Sequence, residues 1–134
     1  MSPERVLFCH AFAIATGLVT FFGSLIVYAI ATGDMAGALR REVFDIGPYW
    51  FFGLPVCYVA AGLLGYLGQV RSWRWSFEMI GTHGVATLLF TGSGLNLLPL
   101  ALVFSLILAL PGIVTGLVGA WVYRFREAMQ RGSR

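Results

Sequence analysis

The chain has 134 residues, 58% of them hydrophobic and only 11% charged, which suits about one domain but is too apolar for the surface of a water-soluble globule. Its formal charge of +3 comes from nine arginines and no lysine. Those arginines flank long uncharged runs instead of lining one soluble face, which speaks against nucleic-acid binding.

No Asp, Glu, Lys or Arg occurs from Val6 to Gly33, from Ile46 to Val70, or from Met79 to Tyr123. A helix crosses the hydrocarbon core in about 20 apolar residues. The first two runs therefore hold one span each, and the third, 45 residues long, holds two. The expected fold is all-α, an integral membrane four-helix bundle forming a single transmembrane domain over residues 1–134.

Span one is expected over residues 6–32. It is longer than the roughly 7 to 15 apolar residues of a secretory signal, so it reads as a retained span, and Cys9 precedes too much of the apolar run to sit like a lipoprotein cysteine. His10, Ala13, Gly17, Thr20 and Ser24 recur at alternating spacings of three and four, the period of a close helix pair. Between Gly33 and Gly47, Asp34 is placed to cap a short helix carrying Met35, Leu39 and Val43 at every fourth position. This helix would lie flat at the membrane interface between spans one and two, with Arg40, Arg41, Glu42 and Asp45 toward headgroups or water. A plain solvated loop fits the same residues.

Span two is expected over residues 49–70, with a kink at Pro55 and a small-residue seam of Cys57, Ala61, Gly65 and Gly68. Span three follows over residues 73–92. Ser93-Gly94-Leu95-Asn96 then breaks the periodicity as a tight hairpin, Asn96 capping span four over residues 97–122. Pro99 falls in the first turn of that span, where its missing N–H costs little, and Pro111 falls mid-span, where a kink is expected. Ala101, Ser105, Ala109, Gly112, Gly116 and Gly119 form its small-residue stripe, and residues 123–134 form a basic cytoplasmic tail.

Four spans put both termini and the loop between spans two and three on one side. Seven arginines (Arg5, Arg71, Arg74, Arg124, Arg126, Arg131 and Arg134) lie there against two (Arg40 and Arg41) on the other, so the positive-inside rule makes both termini cytoplasmic. Tyr66, Trp73, Trp75, Trp121 and Tyr123 mark the inner interface, and Tyr28, Tyr49 and Trp50 the outer. Arg124, Arg126 and Arg131 are placed to meet anionic lipid headgroups. Hydrophobicity does not pair helices within lipid, so the seams through Gly17, Gly65, Gly68, Gly112, Gly116 and Gly119 have to admit close backbone approach. They serve either a self-association interface or ordinary packing within the chain, and packing is the more economical reading.

Ionisable groups inside a membrane are costly, which makes His10, Glu78 and His83, with the polar Asn96, the candidate functional residues. Glu78 follows Arg74 by four residues, so an ion pair along the helix and snorkelling toward water would account for it. It also shares its depth with His10, and a Glu78–His10 contact would be able to carry a proton. His83 lies deeper and about 140° around the helix from Glu78, so the two cannot share one site directly. A polar track of His83, Thr87 and Thr91 is one reading, and an interhelical hydrogen bond from a neutral imidazole is the favoured one. Cys9 and Cys57 lie too far apart in depth for a disulfide. No cofactor or metal is expected, since haem held by His10 and His83 would need two histidines of unequal depth to face each other. No nucleophile, phosphate-loop or paired-acid motif points to an enzyme.

Gly65-Tyr66-Leu67-Gly68, Arg71, Trp73-Arg74-Trp75 and Asn96-Leu97-Leu98-Pro99-Leu100 together resemble small four-span inner-membrane proteins of GC-rich bacteria that have no assigned activity. The resemblance covers under half the chain and rests on interfacial and packing residues, so it implies a multi-pass fold in a bacterial inner membrane and nothing about chemistry. Small multidrug exporters carry a carboxylate in span one, which is missing here, and the glycine, asparagine and phenylalanine patterns of fluoride channels are not found. The expected function is a non-catalytic membrane protein that forms an oligomer or serves a larger membrane assembly as an accessory subunit. The alternative is a small-solute or proton-linked channel or transporter working as an oligomer.

Overall fold

The computed structural model describes residues 2–41, 43–68, 72–90 and 98–132, apart from the side chains at positions 39, 40, 43, 98 and 101. The chain folds into α1 (Pro3–Thr32), α2 (Met35–Arg40), α3 (Leu54–Gly68), α4 (Trp73–Phe90) and α5 (Leu98–Gly132), with no strand among the described residues. A 3₁₀ turn at Val43–Asp45 and a π-helical turn at Tyr49–Gly53 lie between α2 and α3.

Each element follows from its local sequence. Ser2 caps α1 by accepting from the Arg5 N–H, with Pro3 at the first helical position where its missing donor is harmless. Gly33 ends α1 in the left-handed region at φ 70°, a conformation open to glycine without steric cost. The Asp34 carboxylate accepts from the Gly37 N–H at 2.8 Å and starts α2, as its position in the sequence implies. That helix is shorter than the apolar spacing suggests: it stops at Arg40, and Val43 belongs to the separate 3₁₀ turn.

The expected kink at Pro55 takes the form of the π turn just before it. Here the Leu54 N–H bonds to the Tyr49 carbonyl, five residues back. The widened turn leaves room for a proline ring that would crowd the carbonyl of a regular α turn. α5 runs through Pro111. In the turn before it the Tyr58 hydroxyl donates to the Leu108 carbonyl and the Ser76 hydroxyl to the Ala109 carbonyl, each at 2.9 Å, so neighbouring helices support the backbone that a proline weakens.

The segment after residue 122 is helical as well, since α5 continues without a break to Gly132. Arg124 to Gln130 has no Gly or Pro and holds good helix formers, and Arg131 pairs with Glu127 one turn earlier, which extends the helix past its apolar segment. The Ser93–Asn96 hairpin, with Asn96, and Thr91 of the polar track lie outside the described residues.

α3 and α4 pack between α1 on one side and α5 on the other. Its distribution of polarity is inverted relative to a soluble protein. Leu7, Val19, Ile30, Phe51, Val59 and Leu89 are exposed, whereas Thr20, Ser24, Ser76, His83 and Thr87 are buried. A continuous apolar exterior of this kind needs lipid around it. Three helical stretches, Pro3–Thr32, Tyr49–Gly68 and Leu102–Gly132, are long and apolar enough to cross a membrane. The remaining long helix, α4, has 18 residues and is made less apolar by Arg74, Glu78 and His83.

The small-residue seams close within the chain. A Cβ built on Gly65 would stand 2.0 Å from the Gly116 carbonyl oxygen, and one on Gly119 would stand 2.0 Å from that of Gly62. Gly112 faces Ser76 and Tyr58, Gly116 faces Ser72, Gly68 faces Trp75, and Gly17 faces the Met79 carbonyl. Backbone contact at these distances admits no side chain, which is why glycine occupies both sides of the α3–α5 seam.

Candidate functional site

Two polar clusters occupy the interface of α1 with its neighbours. The first is built around His83, which is fully buried. Its Nε2 lies 2.9 Å from the Thr20 hydroxyl of α1, and its Nδ1 lies 3.0 Å from the Tyr49 hydroxyl of the π turn. The Cys57 thiol of α3 is 3.3 Å from the same Thr20 oxygen and 3.9 Å from Nε2. Phe21 stacks along the imidazole, and the Tyr49 ring meets it edge-on.

Proton counting favours one tautomer. Thr20 Oγ1 lies 2.8 and 3.1 Å from the backbone carbonyl oxygens of Thr16 and Gly17, which can only accept, so its one proton is best used there. Thr20 Oγ1 is therefore an acceptor toward the other groups. His83 donates to it through Nε2–H, the Cys57 S–H donates to it as well, and Nδ1 accepts from the Tyr49 hydroxyl. A neutral imidazole satisfies every partner. This cluster ties α1, the π turn, α3 and α4 together through hydrogen bonds between helices.

The π turn makes this convergence geometrically available. Eight residues of regular α-helix would leave Cys57 rotated by about 80° from Tyr49, whereas the wider turn returns part of that angle. Tyr49, Gly53 and Cys57 are then all buried. Gly53 keeps this contact open, since a Cβ would stand 2.7 Å from the Ser24 hydroxyl oxygen and 3.2 Å from the Tyr49 ring.

The second cluster lies nearer the N-terminal ends of α1 and α4. His10 Nδ1 and Glu78 Oε2 are 2.8 Å apart, with side chains 29% and 22% exposed. Trp75 packs edge-on against the His10 ring at 5.0 Å. The structure shows the interhelical Glu78–His10 contact that the shared depth of the two residues suggests. The physical reason is that α1 and α4 bring the imidazole to Glu78 within a half-buried seam, where a polar contact is less screened than on a water-facing surface.

His10 and His83 take part in separate clusters. Among the described residues no group of three or more His, Cys, Asp or Glu converges in a way that would hold a metal ion, and both cysteines are free and buried. Two aromatic assignments also change. Tyr49 and Trp75 are buried, so they serve the interior and not the interfacial girdle. Sequence pattern alone does not single out Thr20, Tyr49 and Cys57 as partners of His83. The usable signal was the four-residue spacing of Tyr49, Gly53 and Cys57, which drifts off one face in a regular helix and stays on it across a π turn.

At the opposite end of α3 from the π turn, the Arg126 guanidinium donates to the Tyr66 hydroxyl at 2.9 Å, and the Tyr66 and Tyr123 rings meet edge to face. These residues line a cleft with Glu127 and Gln130.

The inverted polarity and the three long apolar helices define an all-helical membrane protein with its hydrogen-bonding groups gathered at helix interfaces. No family model, curated protein or solved structure matches the chain.

Proposed function

We propose that the chain is a small, non-catalytic, multi-pass protein of a bacterial inner membrane that self-associates or serves as an accessory subunit of a larger membrane assembly. In this reading α4 is a fourth span, and both termini are cytoplasmic, as the arginine asymmetry requires. α2 lies in the outer interface, and Arg124, Arg126 and Arg131 meet anionic headgroups at the inner one.

The observation that supports this reading is the closure of the interior: Thr20, Tyr49, Cys57 and His83 hydrogen-bond among themselves. The apolar outer helix faces are then the surface through which the chain meets other molecules. One of them is a groove of about 370 Å³ between α1 and α3, lined by Phe12, Thr16, Pro55, Val56, Val59 and Leu63. Purification in a mild detergent followed by light-scattering mass analysis tests the proposal. The expected particle contains at least two protein chains, either copies of this one or a stoichiometric partner. A particle holding one 14.6 kDa chain and no partner refutes it.

The half-exposed His10–Glu78 contact favours a second reading, a small-solute or proton-linked channel or transporter acting as an oligomer, with His83 and Asn96 along its path. Reconstituted protein would then carry a flux that Glu78→Gln and His83→Ala reduce. Flux indistinguishable from empty liposomes across proton and solute panels removes that reading.

A further inference from the structure

We infer that the cleft between the C-terminal end of α3 and the last turns of α5 is a binding site for the phosphodiester headgroup of an anionic phospholipid. The inference rests on the proposed reading of the chain as membrane-spanning and deepens it by assigning a defined site at one end of the bundle. α5 has 35 residues, or about 52 Å of helix, against a hydrocarbon core of about 30 Å. Its last turns therefore reach the headgroup layer.

Three features give the cleft its specificity. Arg126 brings a planar guanidinium with five N–H donors, and its Nη1 donates to the Tyr66 hydroxyl at 2.9 Å. Because that hydroxyl is the acceptor in this contact, its own proton is directed elsewhere. A charged donor and a neutral hydroxyl donor are thus held side by side, matching two oxygens of one phosphate. The Tyr66–Tyr123 edge-to-face contact, with centroids 5.4 Å apart, fixes the phenol.

The second feature is charge. Arg124, Arg126 and Arg131 are set against Glu127 alone in the last turns of α5, and the Glu127 carboxylate is already paired with Arg131. Glu127 lines the cleft beside Arg126, and its pairing with Arg131 offsets its charge, which leaves Arg126 as the cleft's cation for an anion. The third feature points to a lipid and not to a soluble phosphate. Val122, one turn before Arg126, and Leu63, one turn before Tyr66, are exposed apolar side chains. Acyl chains attached to a phosphate held in the cleft would run down over them toward the bilayer interior. The cleft, of about 230 Å³, has room for a headgroup but covers none of those side chains.

The test uses the full chain in micelles containing equal amounts of phosphatidylcholine and phosphatidylglycerol, with lipid adducts counted by native mass spectrometry. Preferential retention of phosphatidylglycerol is expected. Arg126→Gln should lower it about fivefold, the electrostatic share of one arginine at a membrane surface. Tyr66→Phe, which keeps every charge, should lower it severalfold, and Arg126→Lys should not restore it fully because the planar fork is lost. Wild-type-like circular dichroism spectra exclude misfolding of the variants. Equal losses for Arg124→Gln and Arg126→Gln, with none for Tyr66→Phe, would show unspecific charge attraction and overturn the assignment. So would displacement of the lipid by millimolar glycerol phosphate, which would mark a soluble ligand. Thiol labelling of Gly132→Cys in oriented vesicles reports separately on which side this end lies. A periplasmic result would therefore refute the proposed orientation while leaving the lipid measurement intact.

Discussion

Replacing Gly65 with alanine probes the tightest seam of the bundle. The new Cβ would stand 2.0 Å from the Gly116 carbonyl oxygen, 2.7 Å from its carbon and 2.9 Å from its Cα. All three are backbone atoms of α5, so no side-chain rotation relieves them. Restoring an ordinary contact of 3.4 Å requires α3 and α5 to part by well over an ångström. The same displacement would draw out two of the hydrogen bonds that cross this interface near Gly65, Tyr58 to the Leu108 carbonyl and Thr115 to the Tyr58 carbonyl, both now 2.9 Å. Overpacking costs about 1 to 3 kcal/mol, and interhelical hydrogen bonds in a membrane average about 0.6 kcal/mol each. The expected loss is about 3 kcal/mol, or roughly 150-fold in the folded-to-unfolded ratio. Reversible unfolding in mixed micelles measures it, with Gly81→Ala as the control, since nothing lies within 4 Å of a Cβ at Gly81. The control should be unchanged or more stable by up to ~1 kcal/mol. Gly119→Ala strains the same seam against Gly62, so the double variant should cost less than the sum of the two, because one displacement relieves both. A Gly65→Ala protein within about 0.5 kcal/mol of the parent would show that α3 and α5 do not meet as described.

Tyr49→Phe removes the donor to His83 Nδ1 and leaves a buried acceptor unmatched, so stability should fall by about 1 to 3 kcal/mol; nitrogen NMR of labelled His83 should show the Nε2–H tautomer in the parent protein, and the opposite tautomer would invalidate the proton counting. Asp34→Ala removes the cap of α2 and should speed amide exchange at Gly37 while leaving the long helices protected. The expected cost is about 1 kcal/mol of local stability, and unchanged exchange would contradict it. Ser76→Ala deletes one hydroxyl donor to the Ala109 carbonyl and should cost about 0.6 kcal/mol in the same micelle assay, with a loss above about 2 kcal/mol pointing to a larger role for that contact.

Much of the architecture is written in the order of residues. Uncharged runs broken by arginines placed the long helices, because desolvating a charge in hydrocarbon is costly wherever the run sits. The start at Tyr49, the end at Thr32 and the Asp34 cap all follow from neighbours a few positions away, as do the small-residue stripes. Local pattern could not say which stripe meets which. The pairing of Gly65 with Gly116, and of Gly119 with Gly62, is decided by how α3 lies on α5, and it shows that these seams are used within the chain.

The polar clusters divide the same way. Depth estimates alone bring Glu78 near His10, since both helices start from arginines at one level. They do not choose between His10 and Arg74, a choice that depends on the approach of α1 to α4. The partners of His83 are harder still. Tyr49, Thr20 and Cys57 come from three segments far apart in sequence, and Tyr49 joins them because a π turn alters the helical angle ahead of Pro55. Residue periodicity assumes a constant 100° step, so a site created by one irregular turn emerges only when the helices are packed together.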